Sequence, residues 1–143
     1  MKLSTKSRYG LRAMIDLAAR EGDEPVSLGS VAQSQGISEA YLEQLFAKLK
    51  KAGLVTSSRG AQGGYRLSRA PENVSVGDVL RALEGNLEAA ACPGLSDQGC
   101  SSSDSCVTIY VWKKINDSIT RTVDSICLDE LVRESRKNKA ETG

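Results

Sequence analysis

The reading of the fold turns on Gly36-Ile37-Ser38-Glu39-Ala40-Tyr41-Leu42-Glu43-Gln44-Leu45-Phe46-Ala47-Lys48-Leu49-Lys50-Lys51-Ala52-Gly53. Ser38 is an N-cap residue, and Glu39 puts an anion in the first turn, where the helix dipole favours it. Tyr41, Leu42, Leu45, Phe46 and Leu49 form an apolar stripe at helical spacing. Gly53 is the C-terminal stop. Just upstream, Ser27 caps a short helix over residues 28–33, and Gln35-Gly36-Ile37 makes a tight turn in which Gly36 can take positive φ. Two helices joined by such a turn predict a helix-turn-helix. The outward positions of the second are Ser38, Ala40, Tyr41, Glu43, Gln44 and Lys48.

Working outward, Leu54-Val55-Thr56-Ser57 and Tyr65-Arg66-Leu67 read as short strands around Arg59-Gly60-Ala61-Gln62-Gly63-Gly64, a hairpin with a long Gly-rich tip. Residues 5–20 read as a helix through Tyr9, Leu11, Ala13, Met14, Leu17 and Ala18, broken by Gly22-Asp23-Glu24-Pro25. After a turn at Ala70-Pro71-Glu72-Asn73, Ser75 caps a helix through Val76, Val79, Leu80 and Leu83 that ends at Gly85. Helix, short helix, turn, helix and hairpin in this order predict a winged helix-turn-helix, mainly α with a small β-hairpin wing. Its second turn-helix would enter a major groove and its wing would reach the neighbouring groove or backbone. Gln pairs with adenine and Glu accepts from cytosine, so Gln44 and Glu43 are candidate readers. Arg59 stands at the wing entrance, and Gly60, Gly63 and Gly64 would let backbone approach phosphates. Lys2, Lys6, Arg8, Lys50, Lys51 and Arg66 are candidate phosphate contacts, which position a protein without reading sequence.

The 143 residues suit one domain with an appendage. Hydrophobic residues make up 40% and charged residues 26%, and no apolar run nears the ~18 residues needed to span a bilayer. The N-terminus lacks the apolar core and cleavage site of a secretory signal, so a cytoplasmic protein without membrane contact is expected. Histidine is absent, which excludes His-based acid–base and nucleophilic catalysis and any His metal ligand. Aromatic content is 4%, too low for a base-stacking platform. Net charge is +1, but residues 1–66 carry ten Lys/Arg against six Asp/Glu and residues 67–143 nine against twelve. The polyanion-facing half is therefore the N-terminal one.

Residues 86–105 change to loop composition, and the cysteine-rich segment, to residue 106, carries Cys92-x7-Cys100-x5-Cys106. In a reducing compartment a disulfide framework is not expected. Thiolates suit zinc, copper(I) or iron–sulfur clusters; zinc sites more often use CxxC knuckles, whereas long spacings wrap a larger object. Metal-free redox thiols are the competing reading. Cys127 stands apart, at the junction of two predicted helices, where a cap or core role is expected. Val107, Val111, Ile115, Ile119, Val123 and Ile126 then form a long apolar stripe, extended by Trp112. It either packs on its own domain or pairs with the same helix of a second subunit; the small DNA-binding unit favours a homodimer on a near-palindromic double-stranded DNA site. The expected organisation is a DNA-binding domain over 1–85, a cysteine-rich loop over 86–106, a dimerisation helix and short final helix over 107–134, and a frayed tail over 135–143.

Met1 to Ala18, the stretch from Gly36 to Val55, the wing Arg59 to Leu67 and the three-cysteine loop before a long helix resemble the IscR-type transcription regulators, within the wider group that includes NsrR and CymR types. The resemblance runs from Met1 to about Arg133. It implies a dimeric winged-helix regulator of iron–sulfur assembly genes with a [2Fe–2S] cluster on Cys92, Cys100 and Cys106, whose occupancy changes which DNA sites are bound. It implies that Glu43 discriminates between site classes, that Arg59 reads DNA, and that Ser38, Tyr41 and Gln44 lie on the recognition surface. The IscR-type histidine three residues after the last cysteine is Ile109 here, and the NsrR-type ligating aspartate is Arg8. This leaves Asp97, Asp104, a loop serine, a partner carboxylate or an exogenous molecule as fourth ligand, and leaves [4Fe–4S] open. Cys127, beyond a helix of about twenty residues, lies ~30 Å away.

The leading expectation is a cluster-sensing DNA-binding regulator. The alternatives are a metal-free thiol-redox or cysteine-metabolism repressor and, from another class, an iron–sulfur or zinc carrier that does not bind DNA. An enzyme is not expected.

Overall fold

The computed structural model describes every residue except 1–2, 21, 23, 61–62, 90–106 and 143. Its elements are α1 (Thr5–Ala19), α2 (Leu28–Gln35), α3 (Glu39–Lys51), β1 (Val55–Ser58), β2 (Gly64–Leu67), a 3₁₀ turn at Pro71–Asn73, α4 (Val76–Glu84), α5 (Thr108–Ser125) and α6 (Leu128–Thr142). The winged helix-turn-helix is therefore present, mainly helical with one two-stranded antiparallel sheet.

The caps read from sequence are the ones used. Ser27 Oγ accepts from Ser30 N and Ser38 Oγ from Tyr41 N. Ser75 and Asp78 cap each other reciprocally at the start of α4. Gly36 closes α2 with φ of 68°. The buried faces of α1 (Ala13, Met14, Leu17, Ala18) and α3 (Leu42, Leu45, Phe46, Leu49) share one core with Val31, Val79, Leu83 and Leu128. Each buried Leu, Val, Met or Phe side chain among them contributes about 1.5–3 kcal/mol of burial, which holds the turn-helix to the rest.

The wing is anchored on both faces. β1 and β2 pair in the register Val55↔Leu67, Thr56↔Arg66, Ser57↔Tyr65 and Ser58↔Gly64. The Tyr65 ring meets Phe46 edge-on at 5.0 Å, and Lys50 Nζ donates to Ser57 Oγ at 2.7 Å. On its other edge β2 pairs with Val26, exchanging bonds of 2.9 and 2.7 Å through Tyr65. This close approach requires Gly64, because a Cβ there would collide with the Val26 carbonyl.

The long helix divides its stripe: one half packs on its own domain and the other faces solvent in the protomer. Ile119, Val123 and the adjoining Ile126 pack on Val76, Leu80 and Leu87. Val107, Tyr110, Val111 and Ile115 are exposed in the protomer, Val107 at 82%. Between α5 and α6 the chain is extended at Ile126–Cys127 and pairs with the segment entering α4, through Val76 N to Ile126 O (2.8 Å) and Leu128 N to Val74 O (2.9 Å). The expected frayed tail is corrected: α6 continues to Thr142 rather than stopping near Glu134. Residues 133–139 are mostly good helix formers, and Arg133–Asp129 and Lys137–Glu134 pairs run along the helix.

Candidate nucleic-acid interface

α3 buries one face and offers the other. Its apolar stripe points into the core, so Ser38, Glu43, Gln44, Lys48 and Lys51 are exposed. Ser38 spends its hydroxyl oxygen as the cap acceptor for Tyr41 N at 3.1 Å, and its hydroxyl hydrogen remains available. Tyr41 is half-buried, edge-on to Tyr9 at 6.3 Å, and Arg12 lies over the far ring at 5.6 Å. This stack ties α3 to α1 and fixes the direction of the phenol. Glu43 stands one turn after the exposed Glu39 and beside Gln44 on the offered side of α3, and as a carboxylate it repels a polyanion unless a donor meets it.

At the wing, Arg59 is exposed and makes no hydrogen bond to the described residues. Gly60 adopts φ of 109°, a conformation closed to other residues, and Gly63 N donates to Gly60 O at 2.9 Å. Gly63 and Gly64 have packing reasons of their own, since a Cβ on Gly63 would meet the Ser58 carbonyl at 2.5 Å. Lys50, a candidate phosphate contact by sequence, is exposed and also bonds Ser57, bracing the wing. Lys6 and Arg8 are exposed on α1 and Arg66 on β2.

Cys92, Cys100 and Cys106, with the alternative ligands Asp97 and Asp104, lie outside the described residues. Among those described, no group of three or more His, Cys, Asp or Glu side chains could hold a metal. The flanks of the cysteine segment are described. Ala89 N donates to Asn116 Oδ1 on α5 at 2.7 Å, and α5 begins at Thr108 directly after the segment. Both ends therefore lie on the N-terminal half of α5. Cys127 is half-buried, with its carbonyl accepting from Glu130 and Leu131 at the start of α6, the capping place expected of it. The 18 residues of α5 span about 27 Å, which separates it from Val107.

Sequence reasoning missed Glu84, the last residue of α4, with its partners Ser4 and Ser7, and Asn116, which accepts from Ala89 N. Their signal is a pairing across 77 to 80 positions for the serines with Glu84, invisible to local periodicity. No helix among the described residues is long and apolar enough to cross a membrane.

Fold and exposed face together define a winged helix-turn-helix protein built to meet duplex DNA. Residues 3–134 match the Rrf2 family, described as iron-dependent transcriptional regulators, and the chain belongs to that family. It is 42% identical over 132 residues to the HTH-type transcriptional regulator IscR of Pectobacterium carotovorum, covering 92% of this chain and 79% of that one. An IscR of Escherichia coli is 41% identical, with 92% and 80% covered. Among solved structures, T. potens IscR superposes with TM-score 0.74 at 47% identity, covering 94% of this chain and 88% of that one. CymR, the global cysteine regulator of B. subtilis, gives TM-score 0.77 at 41% identity, covering 94% and 98%. These relatives are regulators of transcription by name, and this chain is a transcription regulator rather than an enzyme.

Proposed function

We propose that this protein is a cytoplasmic, homodimeric DNA-binding regulator that senses iron–sulfur cluster status through Cys92, Cys100 and Cys106 and controls iron–sulfur assembly genes. The observation that carries the reading is the pairing of a winged helix-turn-helix with three thiols on a segment whose two ends sit on α5. The donor set fits the group: three thiolates and no histidine suit an iron–sulfur cluster, with the fourth position left to another donor. Held by these three cysteines, such a cluster would supply a one-electron or occupancy signal. The IscR-named relatives support this choice over a purely cysteine-responsive regulator.

The exposed half-stripe Val107, Tyr110, Val111 and Ile115 supports dimerisation, because a contiguous apolar patch beside a long helix is costly in water. In a two-fold dimer the same face meets itself, and two α3 helices and two wings face one duplex. On that duplex, Gln44 and Arg59 read bases, Glu43 rejects unsuitable ones, and Ser38, Tyr41, Lys48, Gly60, Gly63 and Gly64 contact or approach the backbone. DNA and cluster then influence each other reciprocally.

The deciding experiment is the visible and Mössbauer spectrum of protein purified without oxygen. A cluster signal, identified as [2Fe–2S] or [4Fe–4S], that disappears in Cys92→Ala, Cys100→Ala and Cys106→Ala supports the sensor. A colourless protein that resists reconstitution and keeps reactive thiols overturns it in favour of a thiol-redox repressor. Retained colour with no affinity for any duplex would point to a cluster carrier.

A further inference from the structure

We propose that Lys6, Lys48 and Lys51 form one seat for the phosphodiester backbone of duplex DNA, and that Glu84 is the positioning residue that brings Lys6 to it. The proposal rests on the DNA-binding reading and extends it to the junction of α1, α3 and α4.

The three lysines and Glu84 line one open groove of about 440 Å³. A second groove of about 460 Å³ shares Lys6 and Lys48 and continues to Tyr41 and Gln44. The basic seat is thus continuous with the face that would read bases. None of the three lysines has a hydrogen bond or ion pair among the described residues.

The lysines differ in what places them. Lys48 and Lys51 stand in the last turn of α3, where the helix dipole favours cations. Lys6 stands in the first turn of α1, where the dipole opposes a cation, so nothing local holds it near two like charges. Glu84 supplies the missing hold. One of its oxygens accepts from Ser4 N at 2.9 Å, from Ser7 Oγ at 2.7 Å and from Ser4 Oγ. Ser7 is 1% exposed, and the Ser4 hydroxyl bonds Glu84 instead of capping its own helix. Both serines flank Lys6, so the carboxylate pins the turn that carries it. Glu84 itself ends α4, where the dipole disfavours an anion, and the three donors offset that cost. The bond network therefore spends a carboxylate at an unfavourable end to fix a cation at an unfavourable start.

Coulomb's law makes the test one of sign. A carboxylate beside a phosphate seat repels DNA, so if Glu84 is a bystander its removal tightens binding. If it positions Lys6, removal weakens binding. The experiment measures affinity of the full chain for a mixed-sequence DNA duplex across a salt series. Lys6→Ala is expected to reduce the slope of log K against log salt by about 1. Glu84→Ala is expected to reduce it by a similar amount, with no further loss in the double variant, and Glu84→Gln, which keeps an accepting oxygen, is expected to restore it. Tighter binding or an unchanged slope in Glu84→Ala overturns the positioning role, and an unchanged slope in Lys6→Ala overturns the seat. Should Glu84→Ala not fold, Ser4→Ala with Ser7→Ala removes the hydroxyl donors and keeps the charge. A shallower slope there supports the proposal and an unchanged one overturns it. A wild-type chain that binds no duplex at any salt overturns the DNA reading itself.

Discussion

Arg81 and Asp124 join α4 to α5 through an ion pair of 2.8 Å that passes beside Gly77. A Cβ on Gly77 would collide with the Asp124 carboxylate, so the glycine is what lets the two helices close to this distance. The close approach of α5 to α4 at this point thus depends on a residue without a side chain.

Gly77→Ala is expected to change stability by less than about 1 kcal/mol. The gain in helix propensity is about 1 kcal/mol, and the displaced pair is exposed and contributes about 0–1 kcal/mol. Gly77→Val, which cannot be relieved by swinging one carboxylate aside, is expected to cost about 1–3 kcal/mol. Denaturant titration followed by the single tryptophan, Trp112 on α5, reads both. Equal stability of the two variants would contradict the close-packing account.

The half-stripe on α5 separates assembly from folding. Val111→Glu lies on the exposed half and is expected to yield folded monomers by sedimentation, with unchanged far-ultraviolet circular dichroism. Ile119→Glu lies where α5 packs on Val76 and Leu80 and is expected to lower the unfolding midpoint. A Val111→Glu protein that remains dimeric would place the subunit contact elsewhere.

Acid should weaken the α1–α4 latch. The side-chain bond from Ser4, followed by that from Ser7, holds the Glu84 carboxyl below the ordinary glutamate range, and the nearby Lys6 charge acts in the same direction. A carboxyl whose folded value is depressed contributes stability that is present above its unfolded pKa, near about 4.3, and is lost as pH falls through the folded value. Glu84→Gln is therefore expected to flatten the acid side of a stability–pH curve below about pH 4.5 and to leave the shape near neutrality unchanged. Parallel curves for the two proteins would remove Glu84 from the acid response.

Arg59 and Glu43 are expected to fail differently. Arg59→Ala should weaken binding to the preferred site by about 1–3 kcal/mol if it reads a base. An equal loss on mixed sequence would make it a phosphate contact. Glu43→Ala should broaden the set of bound sequences in a selection from random DNA, since it removes a repulsive group. Unchanged selectivity would end that role for Glu43.

Most of the DNA-facing half was legible because its signals are local. Ser38 caps α3, Gly36 closes α2, and the apolar spacing of Leu42, Leu45, Phe46 and Leu49 decides which face is buried. The exposure of Glu43, Gln44 and Lys48 follows from that by geometry alone. The bond from Lys50 to Ser57 was not legible, because it depends on where the wing lands. The end of α6 was placed too early because charge composition alone does not separate a solvated helix from a frayed tail.

The amino-acid sequence by itself determined the order of the described elements, the wing, the buried and offered faces of the recognition helix, and the close spacing of three thiols from Cys92 to Cys106. These rest on periodicity, caps and glycines acting within a few residues. Only the tertiary structure decided that the long helix divides its stripe between its own domain and solvent, that β2 takes Val26 as a second neighbour, and that Glu84 binds Ser4 and Ser7 across some 80 positions. Those outcomes depend on which surfaces meet when the helices close on one core, and no local pattern carries that information.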